Sequence, residues 1–77
     1  MNNPRRKRII ALLDRLEAIR DELDAIREEE EEARDNIPES LQETERYYKS
    51  DEAVDALTDA VDELDSVAES VLEAIEP

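Results

Sequence analysis

The sequence predicts an all-α protein: an antiparallel hairpin of two long helices that pack like a coiled coil. Three observations predict it. Apolar residues recur at alternating steps of three and four within 9–37 and again within 54–75, a spacing that forms one stripe along a helix. Glycine is absent from all 77 residues, and a proline-containing segment separates the stripes. We expect a single domain spanning 1–77, with a first helix at about 4–35, a turn at about 36–50 and a second helix at about 51–76.

The first helix should begin at Asn3 as N-cap, with Pro4 in the first helical position, where its missing N–H costs nothing. One slot of its stripe is acidic, and we expect Glu30 either to extend its carboxylate to water at the end of the core or to mark the helix register. The other members of the stripe are Ile9, Leu12, Leu16, Ile19, Leu23, Ile26, Ala33 and Ile37.

Two charged runs oppose the dipole of the first helix. Arg5–Arg8 places four cations at its N-terminus, and Glu28–Glu32 places five acids in its C-terminal half. The cationic run is expected to meet the acidic C-terminus of the same or a neighbouring chain; the alternative is a tip that contacts phosphate or a membrane. The acidic run is expected to be a solvated face. It suits calcium poorly, because successive helical carboxylates point in different directions.

The break between the helices lies at Asp35–Pro38, since a residue that precedes proline avoids helical geometry. Leu41 is expected to cap the end of the core. Ser50 is the expected N-cap of the second helix, although an earlier start near Thr44 would let Tyr47 extend the second stripe. The members of that stripe are Val54, Leu57, Val61, Leu64, Ala68, Val71 and Ile75.

The two stripes can be aligned head to foot. Pairs whose residue numbers add to 87 match seven layers, from Leu12 with Ile75 to Ala33 with Val54. On one edge, pairs that add to 85 should include Arg34 with Asp51 and Arg20 with Asp65, as well as Arg27 with Thr58 and Leu13 with Leu72. Exposed ion pairs of this kind select the register more than they stabilise it.

A chain this short has no cysteine with which to form a disulfide, so self-association is the expected source of further stability. Rows of alanine lie beside both stripes, and Ile10 needs a further surface to be buried. We therefore expect a homo-oligomer, a four-helix bundle built from two hairpins. The candidate self-association residues are Ile10, Ala18, Ala25, Ala60 and Val67.

The formal charge of −14 disfavours binding to nucleic acid and favours a basic or nucleic-acid-binding protein as partner. Without histidine, cysteine or a glycine-rich loop, the chain is expected to be no enzyme and to hold no cofactor or metal. It has no apolar run long enough to span a membrane and no signal peptide, so a cytoplasmic location is expected.

The segment Asp35-Asn36-Ile37-Pro38-Glu39-Ser40-Leu41-Gln42, together with the basic start, the Glu-rich first helix and Ala53–Leu57, resembles a group of small acidic hairpin proteins. These are encoded by phages and prophages of Gram-positive bacteria. The resemblance covers most of the chain but is distinctive only at the turn. It implies a phage-associated setting and assigns no role to any residue.

The sequence thus favours a non-enzymatic interaction protein that binds a host or phage protein. The candidate partner-binding residues are Leu41, Tyr47 and Tyr48, which lie around the turn in an acidic surface. The alternative is a DNA mimic whose carboxylates occupy the groove of a nucleic-acid-binding protein.

Overall fold

The computed structural model describes residues 1–76 and confirms an all-α helical hairpin. Helix α1 spans Asn3–Asp35, a single 3-10 turn spans Glu39–Leu41, and helix α2 spans Glu45–Ile75. The two helices pack side by side in a molecule measuring 59 × 15 × 13 Å. Within the described chain, neither helix is long and apolar enough to cross a membrane.

The N-terminus of α1 is capped one residue earlier than expected. Asn2, not Asn3, has extended backbone geometry, and its side-chain oxygen accepts a hydrogen bond from the N–H of Arg5 at 2.9 Å. Asn3 and Pro4 therefore occupy the first and second helical positions. Proline remains harmless there, because the first four N–H groups of a helix lack partners within the helix.

The connection closes the loop end of the core with Ile37. Ile37 is only 6% exposed, and its N–H donates to the carbonyl of Arg34. Leu41, the expected cap of the core, is instead 45% exposed. Ile37 falls seven residues after Glu30 and so continues the helix-1 stripe just beyond the C-cap, Asn36. Ile37 therefore occupies the place at the end of the core that was expected for Leu41.

Helix α2 begins at Glu45, six residues before the predicted start at about 51, and Thr44 is its N-cap residue. Ser50 is therefore inside the helix and is not a cap. Its hydroxyl donates a 2.6 Å hydrogen bond to the carboxylate of Glu30 across the hairpin. Tyr47 is half-buried and extends the second stripe, as the early-start alternative requires.

The stripe of α2 faces α1 as expected: Val54 and Val61 are 6% and 4% exposed, and its other members are half-buried. The stripe of α1 is rotated from the expectation. Every seventh residue from Ile9 is covered, but Leu12, Ile19 and Ile26 are about half exposed. Their places at the seam are taken by the half-buried row Leu13, Arg20, Arg27 and Arg34. The apolar arc of α1 is wider than one neighbouring helix can cover.

The predicted edge pairs hold at two positions. Arg34 reaches Asp51 at 2.8 Å and Arg20 reaches Asp65 at 3.0 Å, which confirms both inter-helix ion pairs. Arg27 does not pair with Thr58. It bonds within α1 to Asp24 at 2.9 Å and Glu31 at 2.6 Å. The hydroxyl of Thr58 donates instead to the carbonyl of Val54.

Candidate interaction site

One long side of the hairpin is apolar. On α1, an exposed row that starts at Leu12 lies three residues after the covered row that starts at Ile9. On α2, a matching row lies one residue before each of Val54, Val61, Ala68 and Ile75. Helical geometry places both rows on the side away from the Arg–Asp pairs. We call this surface the open face; its members are Leu12, Ile19, Ile26, Ala33, Ala53, Ala60, Val67 and Ala74. It contains no charged side chain.

The opposite side carries the inter-helix ion pairs. At the end near the chain termini, Ile10, Leu13, Leu72 and Ile75 line an open groove of about 570 Å³ together with Arg20 and Asp65. Because charged side chains edge this groove, its apolar surface is interrupted, unlike that of the open face.

Three arginines on this side have raised pKa values. Hydrogen bonding to Asp65 is the largest cause of the raised pKa of Arg20. For Arg27, the largest cause of the raised pKa is hydrogen bonding to Asp24. For Arg34 the largest cause of the raised pKa is its hydrogen bond to Asp35, and Asp51 adds to it. A pKa raised above the ordinary arginine value favours folding at every pH below that ordinary value, and the effect is lost only as the pH rises through the raised one. The arginines therefore stay paired across the neutral range.

The predicted self-association residues do not form one surface. Ala60 and Val67 lie on the open face. Ala18 and Ala25 are exposed at positions of α1 that helical geometry directs away from α2. Ile10, 45% exposed, lines the groove on the opposite side.

The predicted partner-binding residues cluster near the loop. Leu41 and Tyr48 are exposed. Tyr47 is half-buried, and its ring meets that of Tyr48 edge to face, with centroids 6.0 Å apart. Packing against Tyr47 restrains Tyr48, so an exposed aromatic side chain is held in place near the loop.

The charge of the molecule is divided unevenly along its length. The Arg20–Asp65 pair separates a loop half, residues 21–65, from a terminal half, residues 1–20 and 66–77. The loop half has 19 acidic and 4 basic side chains, a net charge of −15. The terminal half has 5 acidic and 6 basic side chains, a net charge of +1. Almost all of the negative potential therefore surrounds the loop half.

This imbalance predicts that salt stabilises the protein. Repulsion among exposed carboxylates of the loop half is screened once the Debye length falls to about 10 Å, at about 0.1 M salt. Screening also weakens the exposed ion pairs, but the stability lost in this way is smaller, since each pair contributes under about 1 kcal/mol. We expect the thermal midpoint, followed by circular dichroism, to rise by about 3 °C or more between 10 and 500 mM NaCl, equivalent to roughly 0.5 kcal/mol or more. A fall would mean that ion pairs dominate.

The basic run Arg5–Arg8 is only partly used within the chain. Arg6 donates from Nε to the carbonyl of Ile75 at 3.0 Å, which places a cation at the C-terminus of α2, where the helix dipole favours it. Arg5, Lys7 and Arg8 make no ion pair within residues 1–76. Within the chain, Arg6 therefore reaches the C-terminus through a backbone carbonyl and not through an acidic side chain. The expected contact of the basic run with a neighbouring chain stays a prediction.

No group of residues within 1–76 has the arrangement of a metal site. The chain matches no protein-family model, and neither the curated proteins nor the solved structures contain a significant match. The site is therefore interpreted from its own chemistry, which is that of two surfaces, one apolar and one acidic.

Sequence reasoning identified the α2 part of the open face as a self-association surface but missed the α1 part, because it assigned Leu12, Ile19 and Ile26 to the seam. A signal was present in Leu13, Arg20, Arg27 and Arg34, which recur every seven residues on the other flank of the same stripe. The predicted pairs Arg20–Asp65 and Arg34–Asp51 place that flank either at the edge of the seam or within it. In the second case the flank with Leu12 turns outward, and the packing of all layers decides between the two.

Proposed function

We propose that this chain is a non-enzymatic interaction protein that uses its acidic loop half to bind a basic surface of a protein partner. The observation that carries the proposal is the segregation of charge: a net −15 on residues 21–65 against +1 on the rest of the chain. A field of one sign steers a basic partner and raises its rate of association at low salt. Long-range attraction would orient the loop half toward that partner.

The exposed side chains of Leu41 and Tyr48 complete this surface. Both lie close to the loop among carboxylates, and the contact with Tyr47 restrains Tyr48. Aromatic residues at the centre of an interface often contribute most of the affinity, while the surrounding charges set partner choice and rate. The loop half therefore combines an attracting field with a small apolar anchor.

A DNA mimic is the second candidate, and charge density favours it. The loop half spreads a net charge of −15 over about half of the 59 Å length. This is about one negative charge per 2 Å, close to the one per about 1.7 Å of duplex DNA. The partner would then be a DNA-binding protein, and duplex DNA would compete for it.

The resemblance at the Asp35–Gln42 turn supports a phage-associated setting for either candidate. We therefore propose a partner in the cytoplasm of a Gram-positive host, encoded by the host or by the phage. A lysate of a Gram-positive host is the material in which to test the proposal.

The test compares two variants of equal net charge. In the loop variant, Glu39, Glu43 and Glu52 are changed to Gln, and Asp55 and Asp59 to Asn. In the terminal variant, Asp14 is changed to Asn, and Glu17, Glu69, Glu73 and Glu76 to Gln. All ten side chains are exposed and make no ion pair within residues 1–76. Tagged wild type and both variants are used to capture proteins from lysate, and mass spectrometry quantifies what each retains.

We expect the wild type and the terminal variant to retain the same partner, and the loop variant to lose it by at least tenfold. Leu41→Ala with Tyr48→Ala should weaken capture without changing its salt dependence. Displacement of the partner by duplex DNA would favour the DNA mimic over a general basic protein. Equal capture by the loop and terminal variants, or no partner at low salt, would refute the proposal.

A further inference from the structure

We propose that the open face binds a second copy of this chain, with the two α1 helices antiparallel and crossing at Ile19. The twofold axis passes beside Ile19, so that Leu12 of each copy packs against Ile26 of the other. The result is a four-helix bundle with a defined head-to-tail direction. This inference is independent of the partner proposed for the loop half.

The exposed area shows that the hairpin alone leaves much surface uncovered. The chain exposes 5947 Å². A compact monomer of 8.9 kDa would expose about 4,800 Å². The excess of roughly 1,100 Å² exceeds the roughly 800 Å² that each partner contributes to an ordinary stable interface. The elongated hairpin therefore leaves about as much additional area exposed as one partner of a stable dimer buries.

The open face is suited to a copy of itself. Its large residues Leu12, Ile19 and Ile26 are spaced by seven, and they are 49%, 50% and 47% exposed. Ile19 is the midpoint of the row and also of α1, Asn3–Asp35. A twofold axis at Ile19 therefore aligns the row with its reversed copy over the full length of both helices. An isologous contact of this kind closes as a dimer.

Charge decides the direction of the second copy. If both hairpins pointed the same way, two loop halves of −15 would lie against each other. In the head-to-tail arrangement each loop half lies against a terminal half of +1. The rows next to the open face agree: Arg8 and Arg15 lie opposite Glu29 and Glu22 of the second copy. Complementary flanking charges select orientation in antiparallel helix pairs.

The same arrangement explains the two charged runs of α1. Arg5–Arg8 and Glu28–Glu32 each oppose the helix dipole, and most of the basic run has no ion pair within residues 1–76. With the axis at Ile19, the basic run of one copy comes beside the acidic run of the other at both ends of the α1 pair. Two features that are unfavourable in one hairpin become complementary in the dimer.

The decisive test is a disulfide at the axis, since the chain has no cysteine of its own. Ile19→Cys should form an intermolecular disulfide rapidly under mild oxidation, seen as a dimer on non-reducing gels. Ile26→Cys is the matched control, because its copies are separated by 14 residues of helix, or about 21 Å, in the head-to-tail dimer. The proposal would be overturned if Ile26→Cys cross-linked as readily as Ile19→Cys, or if neither variant formed a cross-link.

A second measurement uses sedimentation equilibrium. Wild type should be dimeric at micromolar concentration. Ile19→Glu should weaken the dimer by at least a hundredfold, and circular dichroism of the same variant reports its helicity. Ala18→Glu, which adds the same charge on a neighbouring exposed side, should leave the protein dimeric. The charge reversals Arg8→Glu with Arg15→Glu and Glu22→Arg with Glu29→Arg should each weaken self-association, and mixing the two proteins should restore a dimer. Failure of the mixture to associate would contradict the head-to-tail direction.

Discussion

Val61→Asp is expected to unfold the hairpin. Val61 is the least exposed residue of the core, at 4%, and only Ile37 and Val54 among residues 1–76 are similarly buried. A carboxylate at this position would be buried without a partner and would also remove apolar contact with α1. With so thin a core, a loss of about 3 kcal/mol or more is a large fraction of the stability of a small domain. Helical circular dichroism at 25 °C and neutral pH should fall by at least half.

The control for this substitution is Ser66→Asp, which adds the same charge to α2 at an exposed position. It should retain the wild-type spectrum. Burial raises the pKa of a carboxyl group, so the penalty at residue 61 should shrink as acid protonates it. Val61→Asp should therefore regain helicity between pH 7 and pH 4 by more than Ser66→Asp does. A stable Val61→Asp at neutral pH would show that α1 and α2 do not pack at this layer.

Glu30→Leu is expected to stabilise the protein. Glu30 belongs to the covered row of α1, where its half-buried carboxylate accepts a 2.6 Å hydrogen bond from Ser50. Replacing it with leucine would add apolar contact between the layers of Leu23 and Ile37. The gain should outweigh one hydrogen bond of about 1 kcal/mol, because Ser50 is only half-buried and can turn to water. We expect the thermal midpoint to rise by about 4 °C or more.

The matched control is Glu32→Leu, at an exposed position two residues away. Both substitutions remove one negative charge from the loop half, so the difference between them reports the seam alone. If Glu30→Leu gives no more than Glu32→Leu, the carboxylate–hydroxyl bond stabilises the seam as well as leucine would. If Glu30→Leu instead forms a mixture of oligomeric states, Glu30 sets the register, as polar seam residues can.

The candidate site was only partly accessible from sequence. The position of the break places Leu41 and Tyr48 near the loop, but the sequence did not predict that Leu41 is exposed. The half-burial of Tyr47 depends on where α2 begins. The sequence offers two starts for α2, because Thr44 and Ser50 are both capable N-cap residues. The continuation of the stripe through Tyr47 decides between them, since extending α2 to Glu45 lets Tyr47 and Ser50 join the seam.

The amino-acid sequence by itself determined that this protein has two helices, that they are antiparallel, and that Arg20–Asp65 and Arg34–Asp51 align them. Periodicity and the break suffice for the first two, because helix formation and helix direction depend on residues close in sequence. The ion pairs followed from matching opposite charges along one edge of the aligned helices. Only the tertiary structure decided which part of the wide apolar arc of α1 faces α2. That choice depends on packing all layers at once, and it covers Leu13 and Arg20 while leaving Leu12, Ile19 and Ile26 on the open face.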